Sequence, residues 1–236
     1  MNKFCTILFL IVFTQTITKA QEENKKTSNR KQNKFLMKQQ INQLKNGVLL
    51  VRLQSKESSI NALKKINQFG LAKNIEEKQL MSNNAIISAF RNNFTFCPVY
   101  FFFSNFSDSI LSKQINGIIY LNDSLLPDTS IKLGSITFLT SEFGIIKQDT
   151  SKYFSNYYYY TESSGLEKRS TYYGGPDMRF EVLKIMSDQL VQLKRPFPYY
   201  VRTFNAIPVI KRKPSKVVRR MNLKLFKFYE KNNDSE

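Results

Sequence analysis

Two carboxylates stand where acid–base chemistry could be done. Glu142 follows the apolar stretch that begins SITFLT at residue 135, and Asp188 ends the run RFEVLKIMS, 179–187. Carboxylates facing each other across a sheet end suit general acid–base work, one held protonated and the other ionised. Both belong to residues 141–190, where Glu142, Asp149, Glu162, Glu167, Asp177, Glu181 and Asp188 stand against six Lys or Arg. A carboxylate-dependent hydrolase is therefore the enzymatic reading of this chain.

Other chemistry is missing from the residue list. The sequence contains no His, which removes Ser–His and Cys–His nucleophiles, His metal sites and the commonest general base together. Cys97 sits beside Pro98 at the mouth of an apolar run and reads as a buried, inert thiol. With Cys5 the only other cysteine, no thiolate zinc site can form. Neither a P-loop nor G-x-G-x-x-G occurs, and Gly174-Gly175 before Pro176 reads as a turn. The expectation is no cofactor and no metal, with binding favoured over catalysis.

Binding has clearer signals. Residues 211–231, KRKPSKVVRRMNLKLFKFYEK, hold nine Lys or Arg in twenty-one positions. At 100° per residue Val217, Val218, Met221, Leu225, Phe228 and Tyr229 share one arc, and Lys216, Arg219, Arg220, Lys224 and Lys227 lie opposite. A helix over about 215–231 is predicted, its apolar side closing a core and its basic side available to lipid headgroups or an acidic polymer. Upstream, RPFPYYVR (195–202) is stiffened by Pro196 and Pro198 and flanked by Arg195 and Arg202. Phe197, Tyr199 and Tyr200 are its candidate recognition residues, since a rigid loop loses little entropy on binding.

Charge and leader fix the setting. The chain carries +18 overall, yet residues 57–190 hold 13 basic and 13 acidic groups, so the excess lies at the ends: 9 against 2 in 21–56, and 12 against 3 in 191–236. That is an ordinary domain with basic flanks. Residues 1–20 have the basic start, apolar run from Phe4 to Phe13 and small-residue finish of a cleaved signal peptide. The apolar run is too short to span a bilayer, which takes roughly twenty residues. The expected location is the periplasm, envelope or exterior of a bacterium, with no nucleic-acid partner and no transmembrane span in the mature form. An anionic membrane surface, an acidic envelope polymer or a protein is the expected partner.

These residues need a scaffold. Residues 21–34 have no apolar side chain and read as a flexible basic linker, leaving 35–236 as one domain. Met37, Ile41 and Leu44 are spaced for a helix with Gly47 where its C-terminal cap belongs, and GVLLVRLQ, PVYFFFSN and GIIYLN read as strands. Between the first two, one helix carries Ile60, Leu63, Ile66 and Phe69 and ends at Gly70, and another runs from Glu76 to about Phe94. A short helix is expected near 108–115. The second half supplies strands at 135–143, 152–163 and 179–187. The fold class is α/β or α+β: a single mixed sheet, helices mainly from the N-terminal half, antiparallel strands from the C-terminal half, and the basic amphipathic helix last. The functional expectation is a non-enzymatic binding or envelope-associated domain. The alternatives are the carboxylate hydrolase and a structural subunit of an envelope assembly.

Overall fold

The computed structural model describes residues 32, 34–146, 153–161, 165–172, 180–205 and 207–233, the strands within 153–172 by their backbone. The leader and most of the linker lie outside the described residues. Gln32 and Lys34 are helical, so the first helix, α1 (34–46), begins inside the expected linker.

Six strands form one mixed sheet in the order β3-β2-β1-β4-β7-β8. They are β1 (Val48–Leu53), β2 (Val99–Phe103), β3 (Tyr120–Leu121), β4 (Phe138–Ile145), β7 (Glu181–Met186) and β8 (Tyr200–Arg202). β1 pairs in parallel with β2 and β4, and the outer pairings are antiparallel. The α/β expectation therefore holds. A parallel pair needs a long crossover, and α2 (Glu57–Lys65) with α3 (Phe69–Asn93) supplies the one from β1 to β2.

β1 is apolar in sequence because helices or loops cover both its faces. Leu49, Val51 and Leu53 join Met37, Ile41 and Leu44 of α1, Ile87 and Phe90 of α3, and Val217, Val218, Met221 and Leu225 of α5 (Pro214–Asn233) in the larger core. Val48 and Leu50 point the other way, to Phe102, Phe138 and Ile110 of the short α4 (Ser107–Leu111). Each fully buried aliphatic side chain contributes about 1.5–3 kcal/mol. α5 is thus a structural member of the core as well as a carrier of charge.

Three local expectations are corrected. Gly70 lies in the first turn of α3, which starts seven residues before Glu76; Ile66 and Phe69 are 65% and 61% exposed where one apolar side of a helix was expected. α2 ends instead at Lys65, because Ile66 turns out of the helix and Asn67 follows at φ 59. Gly47 is no left-handed cap: a Cβ there would strike the carbonyl oxygens of Thr137 and Gln43, so glycine is required by close approach of α1 to the chain entering β4. Finally, Tyr153–Thr161 (β5) pairs with Gly165–Tyr172 (β6) in a separate two-stranded sheet instead of joining the main one. Among the described residues no helix is long and apolar enough to cross a membrane.

Candidate anion-binding site

The helix α5 and the strand β8 enclose the feature that the sequence carried in two pieces. Lys224 Nζ donates to the Tyr200 carbonyl at 3.2 Å, and Val201 is buried in the same core as Val217 and Met221. Between them lies a cleft of about 730 Å³. Arg195, Arg202, Arg212, Arg220, Lys224 and Lys227 line it, with no carboxylate among the described lining residues. Positions 220, 224 and 227 follow the i, i+4, i+7 spacing of one helix stripe, so the helix alone aligns three of the six cations.

Aromatic rings hold the other cations in place. The Arg202 guanidinium lies 4.0 Å from the Phe180 ring centroid, and that of Arg212 lies 4.3 Å from Phe204. Lys224 Nζ stands 5.8 Å from the Tyr200 ring, and Arg195 Nη2 donates to the Tyr200 hydroxyl at 3.3 Å. Arg212 Nη1 also donates to the Arg202 carbonyl at 3.0 Å. The quadrupole of each ring attracts the cation above it without neutralising it.

The crowding shows in the acid–base equilibria. Burial lowers the Lys224 pKa from 10.5; Tyr200 opposes this, and the charges of Arg195, Arg212 and Arg220 add to the lowering. Arg212 is lowered by burial and by Arg220. Burial alone would raise Tyr200, but the hydrogen bond and charge of Arg195, with Arg202, outweigh it and bring the phenol below 10.0. Neighbouring like charges thus add to burial in lowering Lys224 and Arg212, while Tyr200 raises Arg195.

A second cleft of about 810 Å³ opens beyond the carboxyl ends of β1 and β4. β1 and β4 are parallel neighbours, and open α/β sheets favour ligand crevices outside the carboxyl ends of their strands. Arg52, Lys56, Lys211, Arg212 and Lys213 line it. Its one carboxylate among the described lining residues, Glu181, accepts a hydrogen bond from Asn205 Nδ2. Arg212 borders both clefts.

The carboxylate pair is not assembled. Glu142 is 7% exposed and held from both sides: Oε2 is 2.5 Å from Arg52 Nη1, and Oε1 is 2.9 Å from Lys184 Nζ. Arg52 Nε donates to Ser107 Oγ at 2.8 Å, and Lys184 Nζ donates to the Ile145 carbonyl at 3.0 Å. Asp188 lies in a turn two residues past β7, half-buried. Because β4 and β7 are antiparallel with Glu142 opposite Lys184 and Thr140 opposite Met186, Asp188 falls at the far end of β4 from Glu142. The side chains of Asp149, Glu162, Glu167 and Asp177 lie outside the described residues.

The other expected residues divide by position. Phe197 is 1% exposed and meets Phe228 edge-on at 5.7 Å, so its ring packs into the core beneath the cleft that it borders. Tyr199 and Tyr200 are half-buried in the cleft wall. Lys216 and Arg219 are exposed on α5 outside the lining, whereas Arg220, Lys224 and Lys227 lie within it. Sequence reasoning missed the second cleft, whose cations come from separate segments. One clue was present: a lone charge inside an apolar strand, as Arg52 in VLLVRL and Lys184 in EVLKIM, requires a buried partner.

Comparison with protein families, curated proteins and solved structures returns no significant match to this chain.

Proposed function

We propose that this protein is an exported, non-enzymatic domain that binds an acidic polymer of a bacterial envelope through the cleft between α5 and β8. The observation that carries this reading is the convergence of six cations, unaccompanied by a described carboxylate, on one concave surface. A concave site suits a chain that can enter it better than it suits a flat bilayer. Four of the six cations are Arg, whose planar fork pairs with phosphate or carboxylate through two parallel hydrogen bonds.

The test is a binding titration of the full chain against fluorescent long-chain polyphosphate, repeated over a range of salt. Arg220→Ala with Lys224→Ala should weaken binding at least tenfold at low salt, while vesicles of phosphatidylglycerol bind more weakly than the polymer. Equal binding by the variant and the parent would sink the assignment to this cleft; preference for vesicles would replace the polymer with a membrane.

The reading of a structural subunit has one observation in its favour. Ile66, between α2 and α3, and Phe69 and Met81 of α3 are 65%, 61% and 72% exposed, and exposed apolar side chains of this size suit a partner surface. Copurification of a partner lost on Phe69→Ser and Met81→Ser would support it.

A further inference from the structure

We infer that the two clefts are one continuous track, and that the ligand is a linear polyanion longer than either cleft, recognised through its acid groups alone. The inference rests on the polymer-binding reading above and adds the second cleft, the ligand's length and its chemical class.

Arg212 is the joint. Its side chain borders both clefts, and its position is fixed from three sides: Nη1 on the Arg202 carbonyl at 3.0 Å, the main-chain N–H on the Thr203 carbonyl at 2.8 Å, and the guanidinium over Phe204. Lys211 and Lys213 flank it and are exposed on the side of the second cleft. A chain leaving the α5 cleft past Arg212 therefore meets further cations. Glu181, the acidic member of the second cleft, is engaged by Asn205, and the Arg52 charge is shared with Glu142. The lysines at 56, 211 and 213 have no ion pair among the described residues, and all three are exposed.

The chemical class follows from where the rings face. Tyr200, Phe204 and Phe180 each carry one of the protein's own cations on a ring face. Stacking of nucleobases needs such faces open. Here the rings present cations to the ligand, so the contacts are with phosphate, sulfate or carboxylate groups repeated along a chain.

Chain length is the discriminating variable. The full chain is titrated with tripolyphosphate, which is too short to reach from one cleft into the other, and with long-chain polyphosphate, which can run along both, at several salt concentrations. Each lost contact lowers the slope of log affinity against log salt by about 0.7 to 1. Lys211→Ala with Lys213→Ala should reduce that slope by about 1.4 to 2 for the long chain and leave tripolyphosphate unchanged. Arg220→Ala with Lys224→Ala should weaken both ligands. Lys64→Ala with Lys65→Ala, which removes two exposed charges at the far end of α2, is the control for bulk charge. If the pair at 211 and 213 leaves long-chain binding intact, the track is refuted while the α5 cleft stands. If the control pair weakens binding as much as the others, binding is diffuse and both readings fall. If neither polyphosphate binds, the polymer-binding function itself is overturned.

Discussion

Lys224 of α5 stands over Tyr200 of β8, its Nζ 5.8 Å from the ring centroid and hydrogen-bonded to the Tyr200 carbonyl at 3.2 Å. This contact seats a cation in a wall of cations, and it has a titration consequence. Burial and three neighbouring guanidinium groups lower the Lys224 pKa below 10.5. The ammonium is thus disfavoured in the folded protein, so stability without ligand rises as pH climbs through the folded value towards 10.5. Polyanion binding has the opposite sign, because it needs the ammonium. Affinity should be level at neutral pH and fall as pH passes through the lowered value. Lys224→Arg should retain affinity over that window; a fall identical to the parent's would assign the pH effect elsewhere.

Cys97 should resist modification in the native state. It is 8% exposed, and burial pushes its thiol up to about 12, against the opposing charge of Lys45. Lys45 itself is held over Phe96 and Phe226 at 5.0 Å each and donates to the Phe96 carbonyl at 3.1 Å. Iodoacetamide at pH 8 should label Cys97 only after denaturation, as read by intact mass. Lys45→Met should lower stability by about 1–2 kcal/mol and make labelling faster by local opening.

Glu142 should matter chiefly for folding. Removing it leaves Lys184, 6% exposed, as a buried cation without its carboxylate. Glu142→Ala should cost about 3–5 kcal/mol in urea unfolding. The double replacement Glu142→Leu with Lys184→Leu should recover much of that, since two apolar side chains replace two buried charges. A Glu142→Gln protein that keeps its stability but loses a measurable hydrolytic activity would restore the acid–base reading.

Gly47→Ala should destabilise the fold by at least about 2 kcal/mol, since overpacking here meets main-chain oxygens and not flexible side chains. Its Cβ would approach Gln43 O at 2.6 Å and Thr137 O more closely still. Gly70→Ala, where nothing lies within 4 Å, should be neutral or slightly stabilising because alanine is the better helix former. Thermal unfolding of the two variants side by side separates crowding from backbone preference.

Local patterns were legible where they were enforced locally. The wheel over 217–229 predicted the four α5 residues that are buried, Val217, Val218, Met221 and Leu225, because a helix repeats its faces every few residues whatever it packs against. β1 and β2 were likewise visible as short apolar runs, and β4 and β7 as strand-like segments of the second half. The boundary between α2 and α3 was not, since the exposed Ile66 and Phe69 imitate a buried stripe in composition.

The sequence by itself determined the α/β rhythm, the amphipathic last helix and the placing of excess charge at the chain ends, all properties of neighbouring residues. Only the tertiary structure decided that RPFPYYVR faces the stripe of Arg220, Lys224 and Lys227, that Arg52 and Lys184 share Glu142, and that Asp188 is at the other end of β4. Strand order and register bring together segments far apart in the chain, and no local periodicity encodes which partners they bring.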